Sequence, residues 1–245
     1  MPAHWNSILS TGPSDFSVHI AGRDVPVAVL RHPRARRLRL RYDAKGNLLR
    51  LTMPPRGSMT SAREWVAAQH GWIVRQLETA ADYPLVAAGS VIPFRNGELT
   101  IDWRPQAPRS PAIHGTTLAM GGPEDAVGRR VARWLTAEAR RTLTEATMAL
   151  AGRAGLPIRA VTVGDPRSRW GSCSASGNIR YSWRLMMMPD FVRDSVVAHE
   201  VAHLRYLDHS PRFHRLAADL LGADPDIARA WLRRHGPSIQ RWQFV

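Results

Sequence analysis

The first third of the chain alternates between apolar and polar positions. Phe16-Ser-Val-His-Ile20 and Val25-Pro-Val-Ala-Val-Leu30 flank a turn containing Gly22. Residues 37–42 place arginine and apolar residues strictly in turn, and residues 48–53 follow across the segment Asp43-Ala-Lys-Gly-Asn47. Period-two alternation on either side of Gly and Asn predicts β-hairpins. Pro54-Pro55 closes that pattern. Over residues 58–81 the period lengthens to that of a helix, with Trp65, Trp72, Ile73 and Leu77 on the buried face. Short strand candidates follow between residues 82 and 122, among them Leu99-Thr-Ile-Asp-Trp103.

The remainder is mostly helical. The pattern over 124–151 is the longest, spacing Val127, Val131, Trp134, Leu135, Leu143 and Leu150 along one face. Its acidic start, Glu124-Asp125, suits the positive end of a helix. Residues 158–163 and 178–187 read as strands separated by a Ser/Gly-rich turn. Pro189-Asp190 opens a helix running to about residue 207. Ser210-Pro211 and Asp224-Pro225 open two more, each with a capping residue followed by proline at the first helical position. The chain therefore reads as α+β with a boundary near residue 122. A small β-rich domain with one helix spans 1–122, and a second domain spans 123–245.

Composition narrows the class. Of 245 residues, 44% are hydrophobic and 22% charged, the ordinary usage of a globular protein, which excludes a mainly disordered chain. One cysteine, Cys173, excludes an internal disulfide framework and a four-cysteine zinc site. No run approaches the ~20 apolar residues that span a bilayer. Residues 1–15 lack the apolar run of a signal peptide. A cytoplasmic protein without a membrane partner is the expectation, and the oligomeric state is left open. The net charge of +14 suggests a polyanionic partner. However, Lys45 is the only lysine, and the excess divides evenly between the two halves of the chain, so charge alone names no partner. The local exception is residues 31–41, with six arginines and no acid. Arg37, Arg39 and Arg41 share one strand face. They are candidate phosphate contacts for nucleic acid or nucleotide, or a charged edge that resists unwanted pairing.

The chemistry lies in His199-Glu-Val-Ala-His203. Histidines four apart lie on one helix face, so both imidazoles can reach one ion, and zinc suits nitrogen ligands. Glu200 stands about 100° round the helix, beside such an ion rather than on it, where it can take a proton from bound water. His209, just before the Ser210-Pro211 helix start, is the chosen third ligand. His214, Asp219 and Asp224 compete with it. Cys173 reads as a small buried residue rather than a nucleophile.

Taken in order, Ser168-Arg-Trp-Gly-Ser-Cys-Ser174, Gly177-Asn-Ile179, Trp183-Arg-Leu185, Pro189, His199-Glu-Val-Ala-His203 and His209-Ser-Pro-Arg-Phe213 resemble the YgjP-like metallopeptidases. That family is related to the SprT-like zinc proteases. Arg36-Arg-Leu-Arg-Leu-Arg41, Leu51-Thr-Met-Pro-Pro55 and Trp72-Ile-Val-Arg-Gln-Leu77 extend the resemblance over nearly the whole chain. It implies a zincin-like metallopeptidase domain, with helices packed on a short sheet, behind a small β-rich amino-terminal domain. It also implies one zinc ion on His199, His203 and His209, Glu200 as catalytic base, and a protein or peptide substrate. Two positions depart from the family pattern: Ser182 replaces an asparagine and His214 a tryptophan.

Arg169, Trp170 and Arg180 are candidate substrate-binding residues. An edge strand beside the metal helix can pair with extended substrate, and an arginine can stabilise an oxyanion. The other reading is that Trp170 and Trp183 are core residues around a simple turn. Two alternative functions remain open at this level. The same site suits hydrolysis of a nucleotide phosphoanhydride, and the arginine strand suits a nucleic-acid-binding protein with a structural metal site.

Overall fold

In the first half of the fold, strands β1 (Phe16–Ile20) and β2 (Arg23–Arg31) pair antiparallel across Ala21-Gly22. Both turn residues have positive φ, 51° and 73°, which matches the twist of the flanking strands. The computed structural model describes residues 16–43, 47–81 and 83–245. The expectation for residues 1–15 and the centre of the predicted turn at 43–47 lie outside the described residues. The chain divides into two compact units, Met1–Tyr83 and Pro84–Val245.

In the first unit, β3 (Arg39–Asp43) and β4 (Leu48–Met53) form the predicted hairpin, and β4 also pairs parallel with β2. The order β1-β2-β4-β3 leaves β3 at an edge. Val25, Val27, Leu49, Leu51 and Met53 are buried with Ala62, Val66, Ile73 and Leu77 of two helices, α1 (Met59–Ala68) and α2 (His70–Ala81). The sequence pattern predicts one helix here, and the structure breaks it at Gln69. The Gln69 backbone N–H bonds to the Val66 carbonyl at 3.0 Å. Its side-chain amide donates at 3.4 Å to the Trp65 carbonyl, which that N–H would serve in a continuous helix.

The second unit holds two sheets. Strands β5 (Val91–Phe94), β6 (Gly97–Trp103), β7 (Ala112–His114) and β8 (Thr117–Met120) are ordered β5-β6-β8-β7. Strands β9 (Ala160–Gly164), β10 (Gly171–Cys173) and β11 (Asn178–Ser182) are ordered β10-β11-β9, with β11 antiparallel to β10 and parallel to β9. The helices are α3 (Val127–Ala154), α4 (Asp190–Ala202), α5 (Pro211–Leu221) and α6 (Pro225–Arg241). Among the described residues, three small sheets and six α-helices make an α+β architecture.

The two compact units meet at Tyr83/Pro84, whereas the sequence pattern places a boundary near residue 122. The reason is packing: Ile92, Leu99, Ile101, Leu118 and Met120 share one core with Val131, Leu135 and Leu143 of α3 and with Val192, Val197 and Val201 of α4. A domain cut at 122 would expose that core.

The strand predicted over 178–187 stops at Ser182, whose hydroxyl accepts the Arg184 N–H at 3.3 Å. Residues Trp183–Met187 then form a buried 3-10 helix. Arg184 is only 1% exposed. Its guanidinium bonds to Asp165 at 2.8 Å and to the carbonyls of Ile239 at 3.0 Å and Trp242 at 3.2 Å, and lies 4.5 Å from the Trp183 ring. The Trp-Arg-Leu triplet is thus a clamp on the carboxy-terminal segment.

Helix α4 starts with a borrowed cap. The Asp190 N–H donates to Asn96 Oδ1 at 2.9 Å, and Asn96 Nδ2 donates back to Asp190 at 3.0 Å. The β5–β6 turn therefore anchors the helix that carries the motif. Among the described residues, no helix is long and apolar enough to cross a membrane.

Candidate metal centre

Helix α4 ends where its chemistry is. His199 and Glu200 occupy its last turn and His203 follows as C-cap. Beyond it the chain tightens, with the N–H groups of Leu204 and Arg205 reaching back to Val201 and Ala202. The Nδ1 of His203 bonds to the Tyr206 carbonyl at 2.8 Å. This turn ends the helix short of the predicted residue 207. A carbonyl only accepts, so the His203 proton sits on Nδ1, and Nε2 keeps a free lone pair.

The Nε2 atoms of three histidines converge. His199 stands 3.1 Å from His203 and 3.4 Å from His209. The ligand atoms of all three lie within 4.8 Å of one another. A tetrahedral zinc with Zn–N near 2.0–2.1 Å sets nitrogen–nitrogen edges of about 3.4 Å, so the donor spacing fits that ion. Ser210 caps α5 by accepting the Phe213 N–H at 3.5 Å, which holds His209 at the junction between helices. The Phe213 ring stacks on His203 at 4.4 Å and meets His199 edge-on at 4.8 Å and His209 at 4.9 Å. One apolar side chain therefore supports all three imidazoles.

Burial, then the neighbouring His203 and His209, push His199 down to about 4, so its ring is neutral at pH 7. Burial also lowers His203. Glu200 is 5% exposed. Burial pushes its carboxyl up to about 7, against a smaller opposing pull from the Arg169 charge. Its Oε2 has no hydrogen-bond partner among the described residues. An unserved buried acceptor is costly. In the last turn of the helix that carries His199, it suits a water that would donate to it.

Other expected site residues divide. Gly171, in the stretch 169–174, opens β10 directly against the Glu200 side chain. Arg169 is exposed, and its charge reaches Glu200. The Trp170 ring packs on α6, 3.1 Å from where a β-carbon on Gly236 would stand. Arg180 is not brought to the centre. Ile179 and Tyr181 are buried on the core face of β11, so Arg180 takes the other face. There its Nε lies 3.1 Å from where a Gly164 β-carbon would stand. Trp183 is a core residue, 5.1 Å from the Phe244 ring. Cys173 is half-buried, and burial pushes its thiol up to about 11.

His214 is exposed, its ring 6.2 Å from that of His209 and outside the histidine cluster. Asp219 and Asp224 also lie outside that cluster, and Asp224 instead caps α6 through the Asp226 N–H at 2.8 Å. Arg37, Arg39 and Arg41 belong to the first unit. Sequence reasoning misses Arg229 on α6, whose charge acts on His199 and which pairs with Asp226 at 3.0 Å. It also misses the Tyr206 carbonyl. No periodicity marks either one, because each reaches the centre from a different segment.

A family profile described as "YgjP-like, metallopeptidase domain" matches residues 36–235. Neither the curated proteins nor the solved structures give a significant match.

Proposed function

The chain belongs to the YgjP-like metallopeptidase family, and from that premise we propose that it is a zinc-dependent peptidase with a zincin-like catalytic domain. The observation that carries this reading is the convergence of the His199, His203 and His209 Nε2 atoms at the end of the helix that also carries Glu200, whose buried Oε2 has no partner among the described residues. These three histidines hold one ion. Zinc in such a site supplies a Lewis acid that polarises a carbonyl and lowers the pKa of water to about 7.

The chain's own residues do the rest. Glu200 takes the proton of the attacking water and returns it to the leaving amine nitrogen. The Tyr206 carbonyl fixes the His203 tautomer and ring direction. Strand β10 ends its sheet, so its outer edge offers backbone groups to an extended peptide. Such pairing gives affinity with little side-chain preference. Arg169 and Arg229 add positive charge that favours the developing oxyanion.

Metal analysis and an unfolded polypeptide test this reading. One zinc per chain and chelator-sensitive cleavage are expected. Nucleoside triphosphates assayed alongside separate the chemistries. Phosphate release without peptide cleavage would move the site to phosphoanhydride hydrolysis.

A further inference from the structure

Both helices of the first unit lie on one face of its sheet. Val25, Val27, Leu49, Leu51 and Met53 share a core with α1 and α2, so the alternate residues Ala28, Leu30, Arg50 and Thr52 turn to the opposite face. Strand β3 follows that register. Leu40 stands opposite Leu51 on the helix side, which turns Arg39 and Arg41 outward. Arg41 is directly opposite Arg50, and Arg39 is opposite Thr52. Arg37 precedes β3 and stands outside this register. Opposite residues have β-carbons about 4.5–5.5 Å apart, and alternate residues of a strand advance about 6.8 Å. Three exposed arginines therefore start from one small patch. Like charges directly opposite destabilise a sheet. Asp43 answers one of them, accepting from Arg50 Nε at 2.9 Å. Asp24, also on this face, is bonded to His19 at 2.9 Å. Arg39 and Arg41 meet no carboxylate among the described residues.

We propose that this open face docks on a nucleic-acid duplex, with Arg39, Arg41 and Arg50 on its phosphates. A charged edge that merely resists pairing explains Arg39 and Arg41 on β3 but not Arg50, which lies one strand further in, on β4. Guanidinium forks match phosphate oxygens in two parallel hydrogen bonds. Ala28 and Thr52 are small, so a backbone can come close between the long side chains. The aromatic residues Phe16, Tyr42, Trp65 and Trp72 all pack on the core side. Nothing of that kind is left on the open face to stack on unpaired bases, which favours a duplex over a single strand. Contacts to phosphate alone position a duplex without reading its sequence. The face lies wholly within the first unit, so this inference is independent of the peptidase reading.

The test is fluorescence anisotropy of the full chain with a short fluorescein-labelled DNA duplex across a salt series. Each phosphate contact contributes about 0.9 to the slope of log affinity against log salt for a duplex. Arg39→Gln combined with Arg41→Gln is expected to lower that slope by about 1.8. Thr52→Glu keeps every arginine but sets a carboxylate opposite Arg39. It is expected to weaken binding about tenfold or more. Arg133→Gln combined with Arg140→Gln removes the same charge from exposed positions of α3 and is expected to leave the slope unchanged. Equal loss of slope in the two arginine pairs would overturn the proposal, because binding would then follow overall charge. So would no binding by the wild-type chain, an unaltered Thr52→Glu affinity, or equally tight binding of an oligothymidylate single strand or of phosphatidylserine vesicles.

Discussion

A β-carbon on Gly171 would stand 2.6 Å from Cγ and 2.7 Å from Cδ of Glu200. Strand β10 and helix α4 therefore meet at a glycine, and the carboxylate is wedged against the strand. Gly171→Ala is expected to turn the Glu200 side chain away while leaving the three imidazoles in place. Zinc content should hold at one per chain. The kcat/KM for peptide should fall toward the 10²–10⁴-fold typical of a lost general base. An unchanged kcat/KM would show that the position of this carboxylate does not matter.

The third ligand is decided by two substitutions. His209→Ala removes one of three convergent nitrogens, whereas His214→Ala removes a ring outside the cluster. Outer partners of a metal site typically contribute 10–100-fold in affinity. Loss of His209 is expected to exceed about a hundredfold, and loss of His214 to change affinity by less than about threefold. Zinc titration calorimetry on both variants measures this directly.

Arg184 is a structural test, distant in role from the metal. Arg184→Met leaves Asp165 without its buried partner and the Ile239 and Trp242 carbonyls without their donor. Breaking a buried pair from one side costs about 3–5 kcal/mol. Urea unfolding should show a loss of that size. A loss below about 1 kcal/mol would mean the carboxy-terminal segment is held by its apolar contacts instead.

The Cys173 thiol is pushed up to about 11, by burial first and by the Glu200 charge second. Only the thiolate reacts, and an ordinary cysteine levels off above about pH 8.5. Alkylation by iodoacetamide, followed by mass spectrometry, should therefore keep rising about tenfold per pH unit between pH 8 and 10. A plateau near pH 9 would indicate an ordinary thiol, and one below about pH 7.5 an activated thiol that reopens a nucleophilic role.

Much of the histidine cluster is legible in the sequence because it is local. His199, Glu200 and His203 are fixed by helical period, and His209 by the Ser210-Pro211 start that follows it. Helix starts at Asp190, Pro211 and Pro225 are read from the same capping signals. What escapes the sequence is non-local. Gln69 breaks a continuous helical pattern through a side-chain bond that periodicity does not register. Strand β10 is only three residues and looks like a turn, yet it supplies the wall of the site. Arg180 sits within the family-like stretch, but strand alternation turns it away from Glu200. The β5–β8 sheet follows the β-rich segment in sequence but shares its core with α3 and α4, which moves the unit boundary.

The central claim is that Glu200 works as the base beside a zinc held by three histidines. The most direct measurement compares the wild-type chain with Glu200→Gln for zinc content and for hydrolysis of an unfolded polypeptide. The account predicts one zinc per chain in both, with hydrolysis lowered about 10²–10⁴-fold in the variant. Full hydrolysis by a zinc-loaded Glu200→Gln variant, or no cleavage by zinc-loaded wild type, would contradict it.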